Sequence, residues 1–84
     1  MTQAWQFVIS QSAAEFLLAC RTTDRRALVR ALHQLAADPY QHGDFAARDY
    51  TGRMMQLRVV RGFLITYWTD SFVNELRVVR IERV

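Results

Sequence analysis

The chain has 84 residues, a hydrophobic content of 51%, an aromatic content of 12% and a formal net charge of +3. This length gives room for one hydrophobic core, so a single domain over residues 1–84 is predicted, and the apolar content excludes an intrinsically disordered chain. A lone cysteine, Cys20, excludes an intramolecular disulfide. No apolar run is long enough for a signal peptide or a membrane span, so a cytoplasmic protein without a membrane partner is expected.

The basic charge is unevenly distributed along the sequence. Residues 1–52 hold five arginines against five acidic residues, whereas residues 53–84 hold six arginines against three, and the chain contains no lysine. Arginine suits bidentate contacts with phosphate or carboxylate groups. An acidic partner, either nucleic acid or protein, is therefore predicted, with a plain solvated surface as the alternative.

A strand followed by a helix is predicted at the start of the chain. Residues 4–10 combine β-branched and aromatic residues, with Trp5, Phe7 and Ile9 on one face. Ser12 and Glu15 have the spacing of a capping box, which predicts that the first helix begins there. An apolar stripe at helical spacing follows and ends near residue 21; its members are Ala13, Phe16, Leu17 and Cys20.

A second helix is predicted over residues 24–37. Thr23 is a suitable N-cap, Asp24 favours the positive end of the helix dipole, and Pro39 disfavours helical geometry in the residue before it. The apolar stripe consists of Leu28, Ala31, Leu32 and Leu35. Two stripes joined by a short connection predict an antiparallel helical pair with a common apolar seam.

Three antiparallel strands are predicted after a connection. Residues 40–49 have no clean periodicity, which is typical of a connection with a short strand or turn. Residues 53–60, 63–69 and 75–83 have strand character and are separated by short turns. Because residues 63–69 are apolar or aromatic on both faces, this strand is predicted to lie in the middle of the sheet.

The last strand has two competing interpretations. A β-bulge near Val78 and Val79 would bring Leu76, Val78 and Ile81 to the core and would place Arg77 and Arg80 on the same outer face. The alternative is a regular strand with both faces partly buried and the two arginines on opposite sides.

Arginine and aromatic residues on the sheet are the main candidates for a binding site. Met55, Leu57 and Val59 alternate with Gln56 and Arg58, which predicts a basic outer face that includes Arg58. Such a face can bind RNA phosphates and stack bases, or receive an acidic peptide. The candidate contact residues are Arg53, Arg58, Arg61, Arg77, Arg80, Arg83 and Tyr67, with Trp68 and Tyr50 close to them in sequence. Cys20, His33 and His42 lack the spacing of metal ligands, so no metal and no cofactor are predicted.

Several segments resemble the RelE/ParE toxin superfamily. Residues 56–58 (Gln-Leu-Arg) are similar to that family's basic strand, residues 62–67 (Gly-Phe-Leu-Ile-Thr-Tyr) to its turn glycine and central strand, and residues 76–83 to its closing strand. The resemblance implies an α+β fold in which an N-terminal strand, a helical hairpin and a three-stranded antiparallel meander form one sheet.

The resemblance also implies a toxin of a type II toxin–antitoxin system. RelE-type members cut messenger RNA on the ribosome without a metal, which would make this chain an mRNA interferase with Arg58 and Arg83 as catalytic residues. The sequence departs from that pattern at Leu64, Met54 and Gln56, where the family is usually basic, and a catalytic helix after the last strand is not expected.

Partners follow from the same resemblance. An antitoxin protein is expected together with RNA or the ribosome. One alternative is a ParE-like inhibitor of DNA gyrase. Another is a non-catalytic interaction module that forms a homodimer through Phe72, Trp68 or a sheet edge.

Overall fold

A computed structural model of the chain describes residues 5–84. Within these residues, the fold is α+β, as predicted, with a helical hairpin on one face of a five-stranded sheet. The elements in chain order are β1 (Gln6–Ile9), α1 (Gln11–Ala19), α2 (Thr22–Ala37), β2 (Phe45–Arg48), β3 (Met54–Val60), β4 (Phe63–Asp70) and β5 (Glu75–Arg83).

The first helix begins two residues earlier than the predicted capping box. Ser10 is the N-cap: its hydroxyl oxygen accepts from the Ala13 N–H at 3.2 Å, and the hydroxyl donates to the Val79 carbonyl at 2.7 Å. Ser12 lies inside the first turn, and the Glu15 carboxylate accepts from the Gln11 amide. The predicted cap was wrong because Ser10 is already tied to β5 at the end of β1, so the chain turns there.

The second helix also begins slightly earlier than predicted. Arg21 is its extended N-cap residue, so Thr23 lies in the first turn, where Asp24 is the acidic residue. The helix ends before Asp38 and Pro39, as predicted. Arg25 holds the end of α1 by donating to three carbonyl oxygens at 2.8–3.2 Å, those of Leu17, Leu18 and Cys20.

The sheet has the strand order β1-β5-β4-β3-β2. The first strand pairs in parallel with β5, and all other neighbours are antiparallel. β4 is central, as predicted. Strand β2 forms within the predicted connection and extends the predicted three-stranded meander to four strands. The apolar stripes of α1 and α2 pack against the side chains of β4 and β5 that point toward the helices, and together they form one core. Its largest fully buried members are Tyr67, Leu28, Leu32, Ile65, Leu76 and Val78.

Of the two interpretations of the last strand, the structure has the β-bulge. Thr66 pairs with Arg80 and Tyr67 pairs with Val78, which leaves Val79 as the extra residue. The core side of the strand therefore contains Leu76, Val78 and Ile81. Because Arg77 and Arg80 pair with Trp68 and Thr66, both arginines lie on the face of the sheet that points away from the helices. We call this surface the open face.

The predicted orientation of β3 was wrong. Gln56 pairs with Tyr67 and Arg58 pairs with Ile65, whose side chains lie in or beside the core on the helix side. Met55 and Leu57 consequently belong to the open face, and Arg58 does not. The helices contact β5 and β1 more than β3, so polar side chains are tolerated on the helix side of β3.

Candidate functional site

Trp68 is the aromatic centre of the open face. The Arg53 guanidinium carbon lies 3.9 Å from the centroid of the indole ring, and the Arg77 guanidinium carbon lies 5.8 Å from it. β3, which Arg53 precedes, and β5, which carries Arg77, flank β4 on its two sides. Two arginines from the two sides of β4 therefore converge on one partly exposed indole.

The three arginines of the open face differ in how their charge is compensated. Arg77 is held by Asp70 at 3.4 Å and by Glu75 at 2.8 Å, whereas Arg80 has a long contact of 4.0 Å with Glu82. Within residues 5–84, no carboxylate lies at ion-pair distance from the exposed Arg53. Arg53 and Arg80 are thus the charges most available to an anionic ligand.

The other predicted arginines lie elsewhere. Arg61 occupies the turn between β3 and β4 with a φ of +51° and forms an exposed ion pair with Asp24 at 3.7 Å. Arg83 pairs with Phe63, so it lies toward the helix side, and its guanidinium stacks 4.9 Å from the centroid of that ring. The open face therefore brings together Arg53, Arg77 and Arg80 but neither of these two.

Arg58 holds the connection between α2 and β2 against the sheet. Its guanidinium donates to the Gln41 side-chain oxygen at 2.7 Å and to the His42 carbonyl at 2.9 Å. The neighbouring Gln56 oxygen accepts from the Gly43 N–H at 2.9 Å. These contacts give Arg58 a structural role, and its catalytic role and that of Arg83 stay predictions.

Tyr67 was predicted to contact RNA or a partner, but its side chain is fully buried in the core. Among residues 5–84, its hydroxyl makes no hydrogen bond of good geometry, although it lies beside Arg58, whose buried Nε atom also lacks such a bond. Burial raises the pKa of the Tyr67 phenol, and the charge of Arg58 opposes this shift. Tyr67 consequently cannot offer its ring to a ligand on the sheet surface.

Apolar side chains extend the open face toward both edges of the sheet. Phe45 on β2 pairs with Leu57, Val59 pairs with Leu64, and Val8 on β1 pairs with Arg77. The exposed fractions are 62% for Phe45, 40% for Val59 and 37% for Val8. All four residues of β2 are exposed, and among the strands of residues 5–84 it pairs with β3 alone.

Comparison with known proteins gives a match in structure but not in sequence. No protein-family model and no curated protein sequence matches the chain. A chain of the archaeal RelE–RelB complex from Pyrococcus horikoshii is similar with a TM-score of 0.77 and 7% identity over 96% of both chains. The RelBE2 toxin–antitoxin complex of Mycobacterium tuberculosis gives a TM-score of 0.75 and 16% identity, covering 98% of this chain and 100% of that one.

The intact RelBE toxin–antitoxin complex of Escherichia coli gives a TM-score of 0.66 and 12% identity, with coverage of 96% and 98%. This chain has the fold of the RelE toxins. The predicted resemblance is therefore confirmed at the level of the fold.

The usually basic positions of RelE-type proteins are distributed over both faces in this RelE-like fold. Leu64 lies on the open face, where it pairs with Val59 and Glu82, whereas Met54 and Gln56 have the helix-side parity of β3. The open face thus lacks a cation at the centre of β4. Its positive charge comes from the two flanking sides instead.

The chemistry available on the open face is binding and charge stabilisation. Of its carboxylates in the described part of the chain, Asp70 and Glu75 are paired with Arg77, whereas Glu82 has only the long contact of 4.0 Å with Arg80. Across residues 5–84, no three His, Cys, Asp or Glu side chains come together as a possible metal site, and no helix is long and apolar enough to cross a membrane.

The contact between Trp68 and Arg53 was not predicted from the sequence. The sequence signal that could have revealed it is the two-residue Arg61–Gly62 connection between two strand-like runs, which is typical of a tight hairpin. In the structure both residues have positive φ, and Val60 pairs with Phe63 across the turn. Continuing this register brings Met55 opposite Trp68, two residues from Arg53.

Proposed function

We propose that this chain is the toxin component of a type II toxin–antitoxin pair and that it acts on RNA through the open face. The observation that carries the proposal is the match in fold over at least 96% of the chain to solved toxin–antitoxin complexes from one archaeon and two bacteria. A cytoplasmic location follows from this proposed target.

The side chains of the open face support RNA as the target. Arg53 and Arg80 offer charge to phosphates, and Trp68 offers a flat ring to bases. If RNA is cleaved, the arginines would stabilise the developing phosphate charge and the RNA 2′-hydroxyl would act as the nucleophile. Because two of the three carboxylates of this face are paired with Arg77, we expect inhibition of translation with slow cleavage of free RNA.

An antitoxin is the proposed protein partner. Strand β2 presents an unpaired edge with four exposed residues, and Phe45 and Val59 provide exposed apolar surface beside it. An added strand or an amphipathic helix can bind such an edge through main-chain hydrogen bonds and apolar contacts. Covering this surface would place the antitoxin next to the arginines of the open face and block access of RNA.

The test is controlled induction of the native chain in a bacterial host, with pulse-labelling of newly made protein and DNA. The proposal predicts growth arrest in which protein synthesis falls first and DNA synthesis continues. An early fall in DNA synthesis would instead support the ParE-like alternative. Normal growth despite folded, well-expressed protein would contradict a toxin and favour a non-catalytic homodimeric module.

A further inference from the structure

A cleft on the open face lies between β1, β5 and the indole of Trp68. It has a volume of about 290 Å³ and is lined by Val8, Ile9, Ser10, Trp68, Arg77, Val78 and Val79. We propose that this cleft binds a single nucleobase stacked on Trp68, an inference that deepens the proposed action on RNA. The cleft would then determine which part of a single-stranded RNA contacts the protein.

The size of the cleft favours one flat ring system. Pockets for drug-sized ligands usually have volumes of roughly 300–1,000 Å³, and this cleft, at about 290 Å³, lies at or below the lower limit. Val8 and the bulged Val79 supply apolar walls, and both are partly exposed. A nucleobase can bury its faces in such a space while its sugar and phosphate remain in solvent.

The contact made by Arg53 indicates what Trp68 can bind. A planar guanidinium already lies 3.9 Å from the ring centroid, which is the separation of a stacked planar group. Base stacking on an aromatic side chain is stronger than a cation–π contact at an exposed ring. A base in the cleft can therefore stack on the Trp68 ring beside Arg77, and the exposed Arg53, which does not line the cleft, can pair with a neighbouring phosphate.

The two arginines beside the ring would have different tasks. Arg77 is fixed by Asp70 and Glu75 at 3.4 and 2.8 Å, so it keeps its place at the edge of the cleft. The exposed Arg53 has no comparable restraint among the described residues. A flat, restrained wall and one adjustable charge suit a base followed by a phosphate better than they suit a carboxylate side chain of a peptide.

Tryptophan fluorescence tests the stacking directly. A Trp5→Phe variant keeps an aromatic ring at residue 5, which contacts Tyr40, and leaves Trp68 as the sole indole. We predict that an eight-nucleotide oligouridylate quenches its emission, whereas inorganic polyphosphate of equal charge does not. Equal responses to both ligands, no binding of the oligonucleotide, or quenching only by an acidic aromatic peptide would overturn the base site.

Binding measurements on matched variants provide the second readout. Trp68→Leu should weaken binding of the labelled oligonucleotide about 10-fold and leave polyphosphate binding unchanged, with partial recovery in Trp68→Phe. Phe72→Leu is the control, because Phe72 is 98% exposed and lies outside the cleft. Equal losses in Trp68→Leu and Phe72→Leu, measured on variants with native circular dichroism, would reject the assignment.

The result is separable from the proposed toxin function. Quenching of Trp68 by the oligonucleotide in a chain that does not arrest growth would retain the base site and reject the toxin. Growth arrest by a chain whose Trp68 is not quenched would retain the toxin and reject the base site.

Discussion

Replacing Arg58 with alanine tests whether this arginine is structural. The substitution removes two donated hydrogen bonds, to the Gln41 side chain at 2.7 Å and to the His42 carbonyl at 2.9 Å. A hydrogen bond to a charged group contributes about 1.5–3 kcal/mol, and partial exposure of Arg58 lowers the expected total to about 2 kcal/mol. In a domain of this length, a loss of about 1 kcal/mol in the free energy of unfolding lowers the Tm by about 4–8 °C, so we expect the Tm to fall by about 8–16 °C.

The assay is thermal unfolding followed by circular dichroism, with Arg80→Ala as the matched control. Arg80 makes one contact of 4.0 Å with Glu82 and its side chain is 61% exposed, so its loss should cost less than about 1 kcal/mol. If Arg58→Ala melted as Arg80→Ala does but abolished growth arrest, the structural reasoning would be refuted. A direct role of Arg58 in activity would then be supported.

Four further substitutions test individual contacts by urea unfolding. Gly43→Ala would place a methyl group 2.6 Å from the Leu57 carbonyl oxygen and should destabilise the fold by about 1–3 kcal/mol; unchanged stability would contradict the close approach. Ser10→Ala should cost about 0.5–2 kcal/mol and Ser12→Ala less than about 0.5, whereas the reverse order would restore Ser12 as the cap. Since burial raises the Tyr67 pKa, the folded state retains the phenolic proton longer than the unfolded chain, and stability should fall as pH rises above the ordinary value of 10.0. Tyr67→Phe should remove this alkaline loss, and an identical pH profile in both proteins would disprove it.

Local sequence signals were sufficient to predict most of the fold. The two helical stripes and the short turns between strands specify elements through neighbouring residues, and these elements formed with small changes in their bounds. The bulge at Val79 was one of two interpretations that the sequence left open, because a regular strand with both faces partly buried also fits the residues; the pairing with β4 decides for the bulge.

Features that depend on long-range contacts were predicted less well. Ser10 and Ser12 have similar capping potential in the sequence, but the Ser10 N–H donates to the Val78 carbonyl at 3.0 Å, which fixes where the chain turns. Successive side chains of β3 alternate between the two faces of the sheet, as predicted. This alternation does not specify which of the two faces the helices cover. The prediction placed Arg58 on the wrong face for this reason. For residues 40–49 the sequence left a short strand and a turn as alternatives, and the structure has the short strand β2.

The candidate site was predictable in part. Arg53, Arg77 and Arg80 were identified from the arginine-rich C-terminal region, and the structure groups them around Trp68 and Thr66. Their grouping could not be read from charge alone, because the same region also contains arginines that lie on the helix side or in a turn. Strand register decides which arginines act together.

The most direct test of the account is growth after induction of three proteins: the native chain, an open-face variant and a charge-matched helix variant. The open-face variant carries Arg53→Ala, Arg77→Ala and Arg80→Ala, and the helix variant carries Arg21→Ala, Arg26→Ala and Arg30→Ala at exposed positions of the helical layer. Circular dichroism must first establish that all three are folded. We predict arrest by the native chain and the helix variant and growth with the open-face variant. Equal arrest by all three, or by none, would contradict a toxin acting through the open face.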